Sequence, residues 1–293
     1  MLRSSFIILD GIGKKAEQNI WQQEIQHWPD FLSRAAIRGI GKERKTYYDR
    51  MLLQAMRAHA EAQYSFFAER LLASEQYRLY DELREHCLFV DIETSNALGD
   101  ITVIGLSDGE HMKTLVKGIN LFQDVVVEAF SQAELLLTFN GSSFDLPMLR
   151  KFCTLPDLPH IDLRHVAARL GYTGGLKAIE HRLGITRRES VQGMQGSDAA
   201  PYWHLFKLTG NRAYLERLIA YNEEDVLNLR TLADILIPKL WAQRHESDSV
   251  VRMAKFSNKT AGTIALELCS CRKSCTERGL KNFNKALMSE KLI

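Results

Sequence analysis

The stretch Leu88-Phe89-Val90-Asp91-Ile92-Glu93 constrains this chain most: three apolar residues run into two acids that alternate with an isoleucine, and Thr94 follows. A short, partly β-branched apolar run closed by polar residues reads as a buried strand. Side chains on a strand alternate faces, so Asp91 and Glu93 share one face, roughly 7 Å apart along the chain. Two carboxylates on one face at the end of a core strand repel each other and are costly to bury. A hard divalent cation such as Mg²⁺ suits clustered carboxylates. A strand end with two solvated acids would carry the same residues.

The elements around this strand place it in an α/β chain. Residues 1–85 read as mostly helical, with helices over about Ala16–Gln26, from Asp30, over Glu43–Ala60 and over Ala62–Glu85. Two Gly-Ile-Gly-Lys turns, at Gly11 and Gly39, precede the first and third of these. They resemble helix-hairpin-helix loops, in which close backbone approach and a helix N-terminus favour a phosphate. Gly-Ile-Gly is also a common tight turn before any helix. After Leu88 the pattern turns to strands at Ile101–Ser107 and Met112–Val116, joined by the hairpin signal Asp108-Gly109. A helix over Leu121–Phe130, a strand over Glu134–Phe139, a helix over Ser143–Cys153 and a short strand at His160–Leu163 follow. Helices over Arg164–Leu170 and Leu176–Leu183, a flexible loop over 186–200 and a long helix over Ala213–Ile235 complete the pattern; Arg187 and Arg188 in the loop could contact a nucleic-acid backbone, although a charged loop tip is the commoner reason for such a pair. This order predicts a mixed sheet flanked by helices, with an N-terminal helical region.

Charge divides the chain in the same places. Residues 1–85 hold 13 Lys/Arg against 12 Asp/Glu, residues 86–240 hold 15 against 19, and residues 241–293 hold 10 against 5. An acidic centre beside a basic tail suits a carboxylate metal site with a polyanion-contacting extension, although a solvated tail would look the same. No apolar run approaches the roughly 20 residues of a membrane span. The N-terminus, with one Arg and a four-residue apolar run from Phe6 to Leu9, does not read as a signal peptide, so cytoplasm is the expected compartment. Five cysteines argue against a disulfide framework. Cys269, Cys271 and Cys275 cluster without the spacing of a zinc ribbon.

Two further acidic places fall where they could meet the first strand. Asp145 lies in Asn140-Gly141-Ser142-Ser143-Phe144-Asp145, just past a strand and in the first turn of a helix. Tyr221 and Asp225, four apart, share one face of the long helix, the face that also holds Leu218 and Leu229. A polar pair on a buried face needs partners.

DIET, N-x3-FD and Y-x3-D, in this order, resemble the three motifs of the DEDD 3′–5′ exonucleases, the DnaQ-like branch of the RNase H-like fold. Tyrosine in the third motif is similar to the DEDDy subgroup. The flanking LDGIGKKAEQNIWQQEIQHWPDFL, GYTGGLKAIEHRLGI and LIAYNEEDVLNL resemble YprB-like ribonuclease H-like proteins, over about residues 5–240. The resemblance implies an N-terminal helical accessory region (1–85), an RNase H-like exonuclease domain (86–240) and a basic tail (241–293). It implies two ions, Mg²⁺ or Mn²⁺, with Asp91 bridging them, Glu93 and Asp225 on one, and Asp145 supporting the other. Tyr221 would orient the attacking water, and Thr94 and Asn140 would approach the terminal nucleotide. Lys177, after the Gly174-Gly175 turn at a helix start, is a candidate phosphate contact, although a solvated first-turn lysine would stand in the same place. Ser95-Asn96 stands where the family commonly has Thr-Gly. The expected partner is single-stranded DNA or RNA, with no membrane. A catalytically inactive binding module and a structure-specific endonuclease remain open alternatives.

Overall fold

The structure, a computed structural model, describes residues 1–95 and 100–246; Asn96, most of the basic tail and Cys269, Cys271 and Cys275 lie outside the described residues. The N-terminal region is built from α1 (Lys14–Trp21), α2 (Trp28–Ser33), α3 (Lys42–Ala60), α4 (Ser65–Ala68) and α5 (Tyr80–Leu83). Each Gly-Ile-Gly-Lys turn runs straight into a helix, with Gly13 and Gly41 as the residues before α1 and α3. The helix expected over Ala62–Glu85 is broken instead. Ala62 takes φ +53°, and Ala73–Leu79 forms a 3-10 segment. Glu75, Tyr77, Arg78, Leu79 and Tyr80 are all buried. Five buried residues among six consecutive positions exceed what one face of an α-helix can hide, so the chain wraps more tightly.

Strands β1 (Cys87–Thr94), β2 (Ile101–Ser107) and β3 (Met112–Val116) follow, then α6 (Gln123–Ser131), β4 (Leu135–Thr138), α7 (Asp145–Phe152) and β5 (His160–Asp162). The sheet order is β3-β2-β1-β4-β5, with β1 central, antiparallel to β2 and parallel to β4. Alternation along β1 sorts its side chains. Leu88, Val90 and Ile92 pack with Val126, Phe130, Leu146 and Leu149 on the face covered by α6 and α7. Phe89 joins the other core, and by the same alternation Asp91 and Glu93 point to that side.

The second face is covered from the C-terminal half: α8 (Leu163–Arg169), α9 (Leu176–Leu183), α10 (Ala199–Thr209) and α11 (Arg212–Glu246). Helix α10 lies where a loop was expected to end; Trp203 buries it against Val103, Val116, Leu215 and Leu218. Helix α11 runs past Pro238, well beyond the expected end at Ile235. An internal proline costs about 3 kcal/mol. Burial of Leu240, and the Trp241 ring set edge-on to Trp21 at 5.8 Å, oppose that cost. Gly105 lets α11 lie close on β2: a Cβ there would sit 2.3 Å from Asn222 Oδ1 and 2.7 Å from Val226 Cγ2. Residues 1–245 form one compact unit, and its largest apolar cluster draws on both the N-terminal helices and α11.

Candidate metal centre

Strand β1 outruns its parallel neighbour. Pairing with β4 covers Cys87–Phe89, which leaves the β4 side of Ile92 open. The chain after β4 fills that place. Asn140 turns at φ +68°, and the Asp162 carboxylate accepts from Asn140 N (2.8 Å), Ser142 N (3.1 Å) and Ser142 Oγ (2.6 Å). This turn delivers Asp145 in the first turn of α7, where its Oδ1 accepts from Ile92 N at 3.1 Å. Asp225 comes from α11 across the other face.

Asp91, Glu93 and Asp225 each present a carboxylate oxygen, and these oxygens all lie within 4.8 Å of one another. Asp145 is outside that trio but close enough for its charge to act on Asp91. Hard oxygen donors this close fit a divalent cation such as Mg²⁺ or Mn²⁺. The electrostatics agree. Burial pushes Asp91 far above the ordinary carboxylate range, and Asp145, Asp225 and Glu93 add to the shift. Glu93 is pushed up to about 8, by burial first and then by Asp225. Asp145 rises to about 7 through burial, against hydrogen bonds from its own N–H and that of Ile92. Asp225 is raised by burial while Arg187 and Lys177 pull it back. A cation between these groups would remove the repulsion that drives them upward.

Tyr221, 2% exposed, sits one turn before Asp225. Burial and then the charges of Asp225, Glu93 and Asp91 raise its pKa, so the phenol keeps its proton. Lys177 reaches the same place: its ammonium lies 4.2 Å from the Tyr221 ring centroid and donates to the phenol oxygen. Thr94, half-buried, ends β1. The Asn140 side-chain oxygen accepts from Arg164 Nη1 at 2.5 Å.

Sequence reasoning missed two contributors, Asn222 and Glu180, and left Arg187 between a backbone contact and a charged loop tip. Asn222 donates through Nδ2 to Asp91 Oδ2 at 2.8 Å and to Asp91 O at 3.2 Å. The available signal was Gly105, since glycine inside a strand often marks a close backbone approach. Glu180 is the second omission, and with it the pairing of Arg187. The loop expected to be flexible is packed down, with Val191 and Met194 buried against Tyr221. Arg187 is not a solvated loop tip: it pairs with Glu180 and with Asp225. Arg188 pairs with Glu224. No spacing rule links residues 180, 187 and 225.

No helix among the described residues is long and apolar enough to cross a membrane. No curated protein matches the chain. The family profile described as the RNase H superfamily matches residues 88–237, which spans β1 to the middle of α11 and holds every residue of the acidic centre. With a mixed five-stranded sheet centred on β1 and helices on both faces, the chain belongs to the RNase H superfamily.

Proposed function

We propose that this protein is a metal-dependent nuclease, a 3′–5′ exonuclease of the DEDDy type related to the YprB-like proteins, acting on single-stranded DNA or RNA. The observation that carries this reading is the meeting of Asp91, Glu93 and Asp225 oxygens within 4.8 Å, beside a buried tyrosine, in an RNase H superfamily domain. Asp91, Glu93 and Asp225 would hold one ion, and Asp91 with Asp145 a second. When bound, such ions lower the pKa of a water and neutralise charge developing on the phosphate. The chain's own groups do the rest. Tyr221, protonated and one helical turn from Asp225, hydrogen-bonds the attacking water. Lys177 holds the Tyr221 ring and hydroxyl, and adds positive charge where a phosphate would arrive. Asn222 fixes Asp91. Thr94 and Asn140 flank the entry of the terminal nucleotide. Residues 1–85 serve as an accessory region, its two glycine turns available to a strand backbone.

End-labelled DNA and RNA strands incubated with Mg²⁺ or Mn²⁺ test this. Stepwise nucleotide release from the 3′ end, abolished by Asp91→Ala, is expected. Cleavage of a circular single strand would instead indicate an endonuclease. Binding without any metal-dependent release would indicate a non-catalytic module.

A further inference from the structure

A buried guanidinium is tolerated when its donors find acceptors, because an unpaired buried donor carries its full desolvation cost. Arg187 departs from that rule. Its side chain is 10% exposed. Nε and Nη2 donate to Glu180 at 2.6 and 2.8 Å. Glu180 is itself buried and receives Asn228 Nδ2 at 3.1 Å. Nη2 also lies 2.5 Å from Asp225 Oδ1. Nη1 is buried and has no hydrogen-bond partner.

A counter-ion for Asp225 requires only a positive charge, and Nη2 already supplies it. Glu180 and Asn228 do more: they fix a rigid fork whose Nε/Nη2 edge is spent on Glu180, leaving Nη1 unpaired next to the Nη2 that meets Asp225. Lys177, the other cation that acts on Asp225, is committed to Tyr221. Nη1 is thus a spare, permanently charged donor beside carboxylates that need cations. On a nucleic-acid strand, the group that offers both an acceptor and negative charge is the phosphate.

We propose that Arg187 is a phosphate-binding residue, whose Nη1 donates to a non-bridging oxygen of the phosphodiester being cleaved, while Glu180 and Asn228 hold the guanidinium in position. This rests on the nuclease reading above. Two full-length variants test it, Arg187→Gln and Arg187→Lys; the lysine keeps a charge for Glu180 should glutamine fail to fold. Affinity for a 5′-labelled single strand is measured by fluorescence anisotropy with Ca²⁺, and Mn²⁺ binding alone by calorimetry. Strand affinity should fall about tenfold or more in both variants, as expected for loss of a charge-assisted hydrogen bond. Replacing the 3′-terminal phosphodiester by a methylphosphonate, which lacks the charged oxygen, should weaken binding to the wild type by a similar factor and to the variants hardly at all. Mn²⁺ affinity should hold in Arg187→Lys and hold or rise in Arg187→Gln, where a cation beside Asp225 has gone. Unchanged strand affinity, a full methylphosphonate effect in the variants, or loss of Mn²⁺ binding would each overturn the assignment. A wild type that releases no nucleotide would count against the nuclease reading, while the anisotropy comparison still decides whether Arg187 contacts a phosphate.

Discussion

Glu93 offers a direct measure of what the acidic centre costs the fold. Its carboxyl is moved from 4.5 to about 8, by burial first and by Asp225 second. A carboxyl whose folded pKa exceeds its unfolded value destabilises the native state as pH rises. The penalty is absent below about pH 4.5, grows through neutrality and levels off above about pH 8. At pH 7 the folded chain keeps a proton that the unfolded chain has released, which costs about 3 kcal/mol, from roughly 2.5 pH units at about 1.4 kcal/mol each. Glutamine has nearly the same volume and takes up no proton. Metal-free Glu93→Gln should therefore be about 1–3 kcal/mol more stable than wild type at pH 7, the lower end allowing for relaxation of Asp91 and Asp225. That corresponds to roughly 2–10 °C in Tm for a chain of this size. Calorimetric unfolding in EDTA from pH 4.5 to 8.5 measures it, and the two proteins should converge at the acid end. Mn²⁺ should reverse the ranking, because the variant has lost one of three ligand oxygens. A variant that melts below wild type in EDTA at pH 7, or a gap that does not widen between pH 5 and 8, would refute the reasoning.

Asn222→Ala removes the hydrogen bonds that hold Asp91; Mn²⁺ affinity by calorimetry should fall about 10–100-fold, as for other partners of metal ligands, and an unchanged affinity would deny Asn222 that role. Gly105→Ala places a methyl 2.3 Å from Asn222 Oδ1; urea unfolding should show a loss of about 1–3 kcal/mol from overpacking, together with weaker Mn²⁺ binding. Arg78, fully buried, bridges Glu17 at 2.7 and 2.8 Å and Glu75 at 3.0 Å. Arg78→Met leaves the buried Glu17 without its guanidinium, while Glu75 keeps Arg244 and Arg169, and should cost about 3–5 kcal/mol in the same assay; a loss under 1 kcal/mol would mean that the network is not needed.

What could be read from the sequence was local or periodic. The acids of β1 follow from alternation, Tyr221 and Asp225 from helical spacing, and Asp145 from a strand followed by a turn. Each needs only its own dozen neighbours. What escaped depends on partners far along the chain. The breaking of the helix expected over Ala62–Glu85 follows from burying Arg78 against Glu17, 61 residues away. The passage of α11 through Pro238 follows from Trp241 meeting Trp21. The sequence leaves Arg187 between a charged loop tip and a backbone contact because its acceptors, Glu180 and Asp225, are set by how α9 lies against α11. Periodicity reports which face is buried and is silent on what that face meets.

Helix α11 joins these long-range contacts into one device. A stripe of leucines can slide along a core by a turn at modest cost, whereas directional polar contacts cannot. Asn222 and Asp225 must arrive at β1 in one register. Further along, Asp234 accepts from Tyr80 (2.8 Å) and from Arg84 (2.6 and 2.8 Å). Farther still, Arg244 pairs with the buried Glu75. At 1.5 Å per residue these anchors spread over about 28 Å from Asp225, and the last two are supplied by residues of the N-terminal region. The family match ends at residue 237, before the Arg244 anchor. The N-terminal helices therefore bear on the acidic centre through the helix that delivers Asp225: they fix its rotation and register, and with them the distance between the third carboxylate and the two on β1.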